Sequence, residues 1–173
     1  EILETREKDI KDWYDELNSG ESVTFSGIEI ATDCLRLHAE SFGQTMSAAP
    51  NLSCSHLNCL GLSIHIACAC RDDSSFQFIL IDDPIQSMDE QHAEAFGLKV
   101  LRKLLDAGYQ LIVMTHLKSF ADRMDALYRR PYKVEKYNFL GYTERGPRIE
   151  EMFTNLETYI SRVSNYMNAD NED

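Results

Sequence analysis

Phe76-Gln77-Phe78-Ile79-Leu80-Ile81 runs directly into Asp82-Asp83-Pro84. A short, nearly unbroken apolar run stopped by two acids and a proline is how a strand buried on both faces of a parallel sheet reads. Gln110-Leu111-Ile112-Val113-Met114 repeats the pattern and ends in Thr115-His116. Between the two runs, a helix from about Asp89 to Leu105 sets Ala93, Gly97, Val100, Leu101 and Leu104 on one face, with Gly108 near its end. Another helix is expected from about Leu117 to Tyr128. Strand, helix, strand, helix in this rhythm is α/β, with right-handed crossovers and a site at the carboxyl ends of the strands. Both strands end in polar residues at that edge.

Upstream, Ser53 is placed to cap a helix carrying Leu57, Leu60, Ile64 and Ala67 at helical spacing and ending near Arg71. Residues 21–50 mix β-like pieces (Val23-Thr24-Phe25 and Ile28-Glu29-Ile30) with polar turns and read as loop and edge strand. The first 18 residues are charged, with Leu3, Ile10, Trp13 and Leu17 spaced by seven, three and four. That stripe suits a coiled coil and an ordinary amphipathic helix equally. Downstream, Tyr132 to Tyr142 alternates like a hairpin or edge strand, and Gly146-Pro147 is expected to turn the chain into a last helix from about Glu150 to Met167. The domain reading is a helix over 1–20 and one lobe over 21–173.

Seventeen Lys and Arg against twenty-nine Asp and Glu give a net charge of −12 over 173 residues, so the surface as a whole repels phosphate and anionic lipid. None of the eight glycines is followed by Lys, which excludes a phosphate-cradling G-x-x-x-x-G-K-[ST] loop from this stretch of sequence. Five cysteines without a C-x-x-C pair read as free, mostly buried thiols in a reducing compartment. The sequence has no apolar run of about 18 residues and no signal peptide at its charged start, so a cytoplasmic protein without membrane contact is expected. The start at Glu1 rather than Met reads as a piece of something longer.

Two carboxylates at a strand end can divide the work of nucleotide hydrolysis. Asp82 would bind hydrated Mg²⁺ and Asp83 would orient water at a γ-phosphate. His116, ending the neighbouring strand, could donate to a phosphate oxygen or hold the attacking water. Two acids in a surface turn and a structural histidine are the plain alternatives; the convergence of all three on one sheet edge favours a site.

In order and spacing these motifs resemble the C-terminal half of an ATP-binding-cassette ATPase head of the SMC, RecN and RecF kind. Leu52-Ser53-Cys54-Ser55-His56 resembles the signature motif, and the residues after it its helix. Phe78 to Pro84 resembles the Walker B strand, Ser87-Met88-Asp89 the D-loop, and His116 the switch histidine. The resemblance implies ATP and Mg²⁺ as cofactors, with Asp83 and His116 catalytic and Asp82 on the metal. Ser53, Cys54, Ser55, His56 and Asp89 would then face nucleotide, where the first turn of a helix offers amides to an anion. It also implies two partners, an N-terminal lobe carrying the P-loop and a second head, and an output on DNA in repair, chromosome organisation or anti-phage defence, with nucleoid association. Residues 1–18 would be the end of a coiled-coil arm. Three features depart from the family pattern: Cys54 and Ser55 stand where it has glycines, His56 where it has Gln or Glu, and Asp83 where it has Glu. They keep a degenerate, non-hydrolysing head as the alternative, beside a transporter's nucleotide-binding domain.

Overall fold

The computed structural model describes residues 5–32, 34–71 and 76–151, which divide after Lys118 into two compact units. In the first unit, helix α1 (Glu7–Leu17) opens with Glu7 and Asp9, acids that complement the positive end of its dipole. It buries Ile10, Tyr14 and Leu17, the i, i+4, i+7 face, against the signature-like helix and the first strand. Tyr14 thus takes the place expected of Trp13, which stays half-buried with the Lys103 ammonium 4.6 Å from its ring centroid. Leu3 lies outside the described residues.

Residues 21–50 are more regular than the sequence suggests. They form an antiparallel meander of β1 (Val23–Ile30), β2 (Leu35–Ser41) and β3 (Gln44–Ser47). The β2–β3 turn is Phe42-Gly43, both with left-handed backbones (φ 51° and 75°), the geometry that matches strand twist in a two-residue hairpin. In β1 a bulge falls between Phe25 and Gly27. A Cβ at Gly27 would stand 3.2 Å from the Glu7 carboxylate, which accepts the Ile28 N–H at 3.3 Å; glycine is what lets α1 lie this close to β1.

One short turn, α2 (Ala48–Asn51), leads to α3 (Cys54–Ala69), the helix expected after Ser53. Strands β4 (Phe78–Asp82) and β5 (Gln110–Met114) pair in parallel, in register from Phe78 with Gln110 to Asp82 with Met114. Their crossover runs through α4 (Glu90–Ala95), a wide π turn at Phe96–Val100, and α5 (Leu101–Asp106). The crossover ends as Gly108 requires. With φ 88°, its N–H bonds to the Leu105 carbonyl while the Tyr109 N–H reaches back to Leu104, the double bond of a Schellman cap.

One expectation is corrected here. Among the described residues, the β4–β5 pair is covered on one face only. Ile79 and Ile81 are buried, whereas Phe78, Leu80, Ile112 and Met114 are 43–49% exposed on the other face. The cysteines also depart from expectation. All five are free, but only Cys59 is buried, while Cys34 and Cys54 are exposed. Burial, followed by the charges of Asp89 and Glu21, pushes the Cys59 thiol up to about 12, so it is a packing residue without nucleophilic character.

The second unit contains nearly all of α6 (Lys118–Tyr128) and an antiparallel hairpin of β6 (Tyr137–Thr143) and β7 (Gly146–Glu151). Within α6 the buried Asp125 accepts from Arg129 one turn on, at 2.8 Å from Nε. Gly146-Pro147 was expected to turn the chain into a helix, but these residues open strand β7, and the turn falls at Glu144-Arg145. Glu150 and Glu151 continue the strand, and the rest of the expected last helix lies outside the described residues.

Candidate functional site

The sequence-predicted residues separate into two groups. The first is at the carboxyl ends of β4 and β5. Asp82 is the last residue of β4 and is exposed. Asp83 follows with φ 45°, a left-handed backbone that costs most residues energy and that aspartate tolerates better than most. Its N–H is tied to the Met114 carbonyl at 2.9 Å, so the kink is held by the neighbouring strand. That conformation aims the carboxylate at His116, whose Nδ1 lies 2.8 and 3.0 Å from its two oxygens. The carboxylate can only accept, so Nδ1–H donates and the ring presents Nε2 on its other side. In this tautomer Nε2 can accept a hydrogen bond from water; with a second proton it can donate to a phosphate oxygen. The His116 side chain is 57% exposed and that of Asp83 27%, so both are accessible to a ligand.

The second group gathers around the start of α3. Ser53 caps the helix, its Oγ accepting the His56 N–H at 3.2 Å and lying 2.8 Å from His56 Nδ1. Cys54 is exposed beside it. Ser55 Oγ accepts the Asp89 N–H at 3.2 Å and sits 2.9 Å from His92 Nδ1. Asp89, in turn, caps α4 through the His92 N–H at 3.0 Å and takes His92 Nδ1 at 2.6 Å. Partial burial pushes the Asp89 carboxyl up, but the His92 backbone and ring hydrogen bonds, the His92 charge and Ser55 outweigh it and hold the group below its usual range. The signature-like and D-loop-like segments are thereby hydrogen-bonded to each other. Asn58, one turn into α3, adds a bond from its amide to the Pro84 carbonyl.

Sequence reasoning missed Glu21, Asn58 and His92. His92 is fully buried, with Asn18 Oδ1 2.7 Å from its Nε2, and Glu21 reaches His56 Nε2 at 2.7 Å. The only available signal was a histidine three residues after a capping aspartate, and nothing in the sequence told its buried face from its exposed one. The two groups are linked through the backbone from Asp83 to Asp89 and through Asn58.

No protein-family model matches the sequence, and no curated protein does. Solved structures do match. A structure from work on ATP-driven dimerization and DNA-stimulated activation of SMC ATPases superposes with a TM-score of 0.59, covering 96% of this chain and 92% of that one at 14% identity. The fold is that of an SMC head. The Smc head domain of Pyrococcus furiosus, solved with an extended coiled coil and the C-terminal domain of ScpA, gives a TM-score of 0.57 at 14% identity over 95% of this chain. The head of Pyrococcus yayanosii Smc, solved with a coiled coil and joint, gives 0.57 at 15% identity, again over 95%. This chain spans 38% and 29% of the length of those two structures. Within the SMC head fold, β4 and β5 place Asp82, Asp83 and His116 at one sheet edge. Among the described residues, no helix is long and apolar enough to cross a membrane.

Proposed function

We propose that this chain is the signature-bearing lobe of an SMC-like ATPase head, hydrolysing ATP once a lobe with a P-loop completes it and a second head closes on it. The observation that carries this reading is the Asp83–His116 pair, a strained carboxylate and an accessible imidazole at the ends of adjacent parallel strands. Asp83 would orient the attacking water and keep the His116 tautomer; His116 would present Nε2 to the γ-phosphate. Asp82, an exposed hard oxygen donor at the strand end, fits a hydrated Mg²⁺, which when bound would neutralise charge developing on the phosphates. The first-turn amides of α3 at Cys54 and Ser55 have no acceptor within the helix and would face the nucleotide of the opposing head. The open apolar face of Phe78, Leu80, Ile112 and Met114 supports a completing lobe, since such a face is normally covered. Action on DNA, in repair, chromosome organisation or defence, would be an output of the assembly, because the net charge of −12 gives this lobe little attraction for phosphate. On this reading it works in the cytoplasm, and α1 continues into a coiled-coil arm.

One observation favours a second reading, a head that assembles without hydrolysis. The Ser53, Ser55 and His56 side chains of the signature-like segment are all engaged within the chain, to one another, to Asp89 and His92, and to Glu21. Steady-state ATP turnover after reconstitution with the P-loop lobe separates the two. The first reading expects magnesium-dependent turnover that Asp83→Ala abolishes. Turnover unchanged in Asp83→Ala overturns the catalytic assignment, and no turnover in any assembly favours the second reading.

A further inference from the structure

Beyond the ATPase reading stands a cluster of two histidines and a carboxylate beside the start of α3, sharing His56 with the signature-like segment. We propose that Glu21, His56 and His92 form a binding site for one divalent transition ion of the zinc class. The Glu21 carboxylate bridges the two rings, with Oε2 2.7 Å from His56 Nε2 and Oε1 3.4 Å from His92 Nε2. One ligand atom from each of the three residues lies within 4.8 Å of the others. The rings meet edge to face, 5.1 Å apart with 72° between their planes, so the Nε2 atoms converge on the carboxylate instead of stacking.

The opposite nitrogens are held as ligand histidines usually are. His56 Nδ1 is on Ser53 Oγ, and His92 Nδ1 is on the Asp89 carboxylate, the carboxylate–histidine pairing that fixes a ring with Nε2 toward a metal. The surroundings of His92 Nε2 suit a positive charge. Its Nδ1 faces Asp89 Oδ2, and its Nε2 faces Asn18 Oδ1 at 2.7 Å and Glu21 Oε1. The Asn18 amide cannot be turned to help, because its Nδ2 already donates to the Tyr14 carbonyl at 2.7 Å. His92 Nε2 thus faces two oxygen acceptors, a setting that either a proton or a cation at Nε2 satisfies.

Two imidazoles and one carboxylate select an ion of intermediate softness; magnesium and calcium prefer oxygen donors. The scaffold is also suitable. His92 is fully buried, while the side chains of His56 and Glu21 are 16% and 26% exposed, which leaves a path for entry and a position for water. A bound ion would pin the first turn of α3 to the segment following α1.

The test is titration of the metal-free 173-residue chain with zinc by calorimetry and with cobalt by visible absorption, on wild type, Glu21→Gln and His56→Gln. Both variants change partly exposed side chains, and far-ultraviolet dichroism checks their folding. One zinc per chain is expected, with affinity falling at least about tenfold in each variant, a cobalt spectrum free of thiolate charge transfer, and a zinc-dependent rise in Tm in wild type alone. Absence of zinc binding by wild type, wild-type zinc affinity in either variant, or thiolate bands showing capture by the cysteines would each overturn the site.

Discussion

The two polar groups of the first unit are built in opposite ways. Asp83 and His116 form a pair on a strained backbone, open to solvent, with His116 Nε2 presented outward. The group at the start of α3 is dense, with a fully buried histidine at its centre and serines, acids and an amide from three separate segments packed around it. Strain with accessibility suits a place where an outside ligand is exchanged; dense mutual engagement suits a place that holds the fold, with or without an ion at its centre. On the sequence alone the two look alike, as polar residues at the ends of apolar elements.

This contrast is open to direct attack. The largest effect should come at the open pair. Asp83→Ala is expected to lower ATP turnover of the completed head by about 100-fold or more while moving the urea midpoint little. A comparable loss of stability would place Asp83 with the structural group instead. At the dense group, His92→Ala should cost about 3 kcal/mol in urea unfolding, since it opens a cavity and strands the buried Asn18 oxygen. The matched change His116→Ala, on an exposed ring, should cost less than about 0.5 kcal/mol. Equal costs would erase the distinction.

A smaller effect tests the burial around Tyr14. Its hydroxyl is fully buried without a hydrogen-bond partner among the described residues, and burial drives the phenol well above its ordinary value. Tyr14→Phe should therefore raise stability by about 1 kcal/mol, measured by denaturant unfolding; a loss would show that the hydroxyl has a partner. Smallest in energy but simple to read is thiol labelling under native conditions. Cys34 and Cys54 should react with iodoacetamide at pH 8 by mass spectrometry, while Cys59 stays unlabelled until the chain unfolds. Early labelling of Cys59 would mean that the α3 core opens locally.

Much of the fold is legible in the residues. The apolar runs at 78–81 and 110–114, the Ser53 cap and the Gly108 stop are local signals, and each depends on chemistry within a few residues of itself. The pairing of Asp83 with His116 also follows, because parallel neighbours bring strand ends together. What is hidden depends on distant partners. Phe78, Leu80, Ile112 and Met114 are as apolar as Ile79 and Ile81, so the run itself cannot say which face this chain covers. Phe42 at a left-handed turn position defies turn preferences, which is why the meander reads as loop. Glu21 lies 35 residues from His56, and His92 lies 37 residues from Ser55; contacts at such separations leave no local trace.

The uncovered side of the β4–β5 pair has a consequence for the life of the molecule in a cell. To a chaperone or protease, a row of half-exposed Phe, Leu, Ile and Met on a folded lobe is chemically the same as a segment of unfolded chain. A lobe whose open face becomes covered would escape such surveillance, and one left open would not, so the lifetime of the folded lobe would depend on how soon that face is buried.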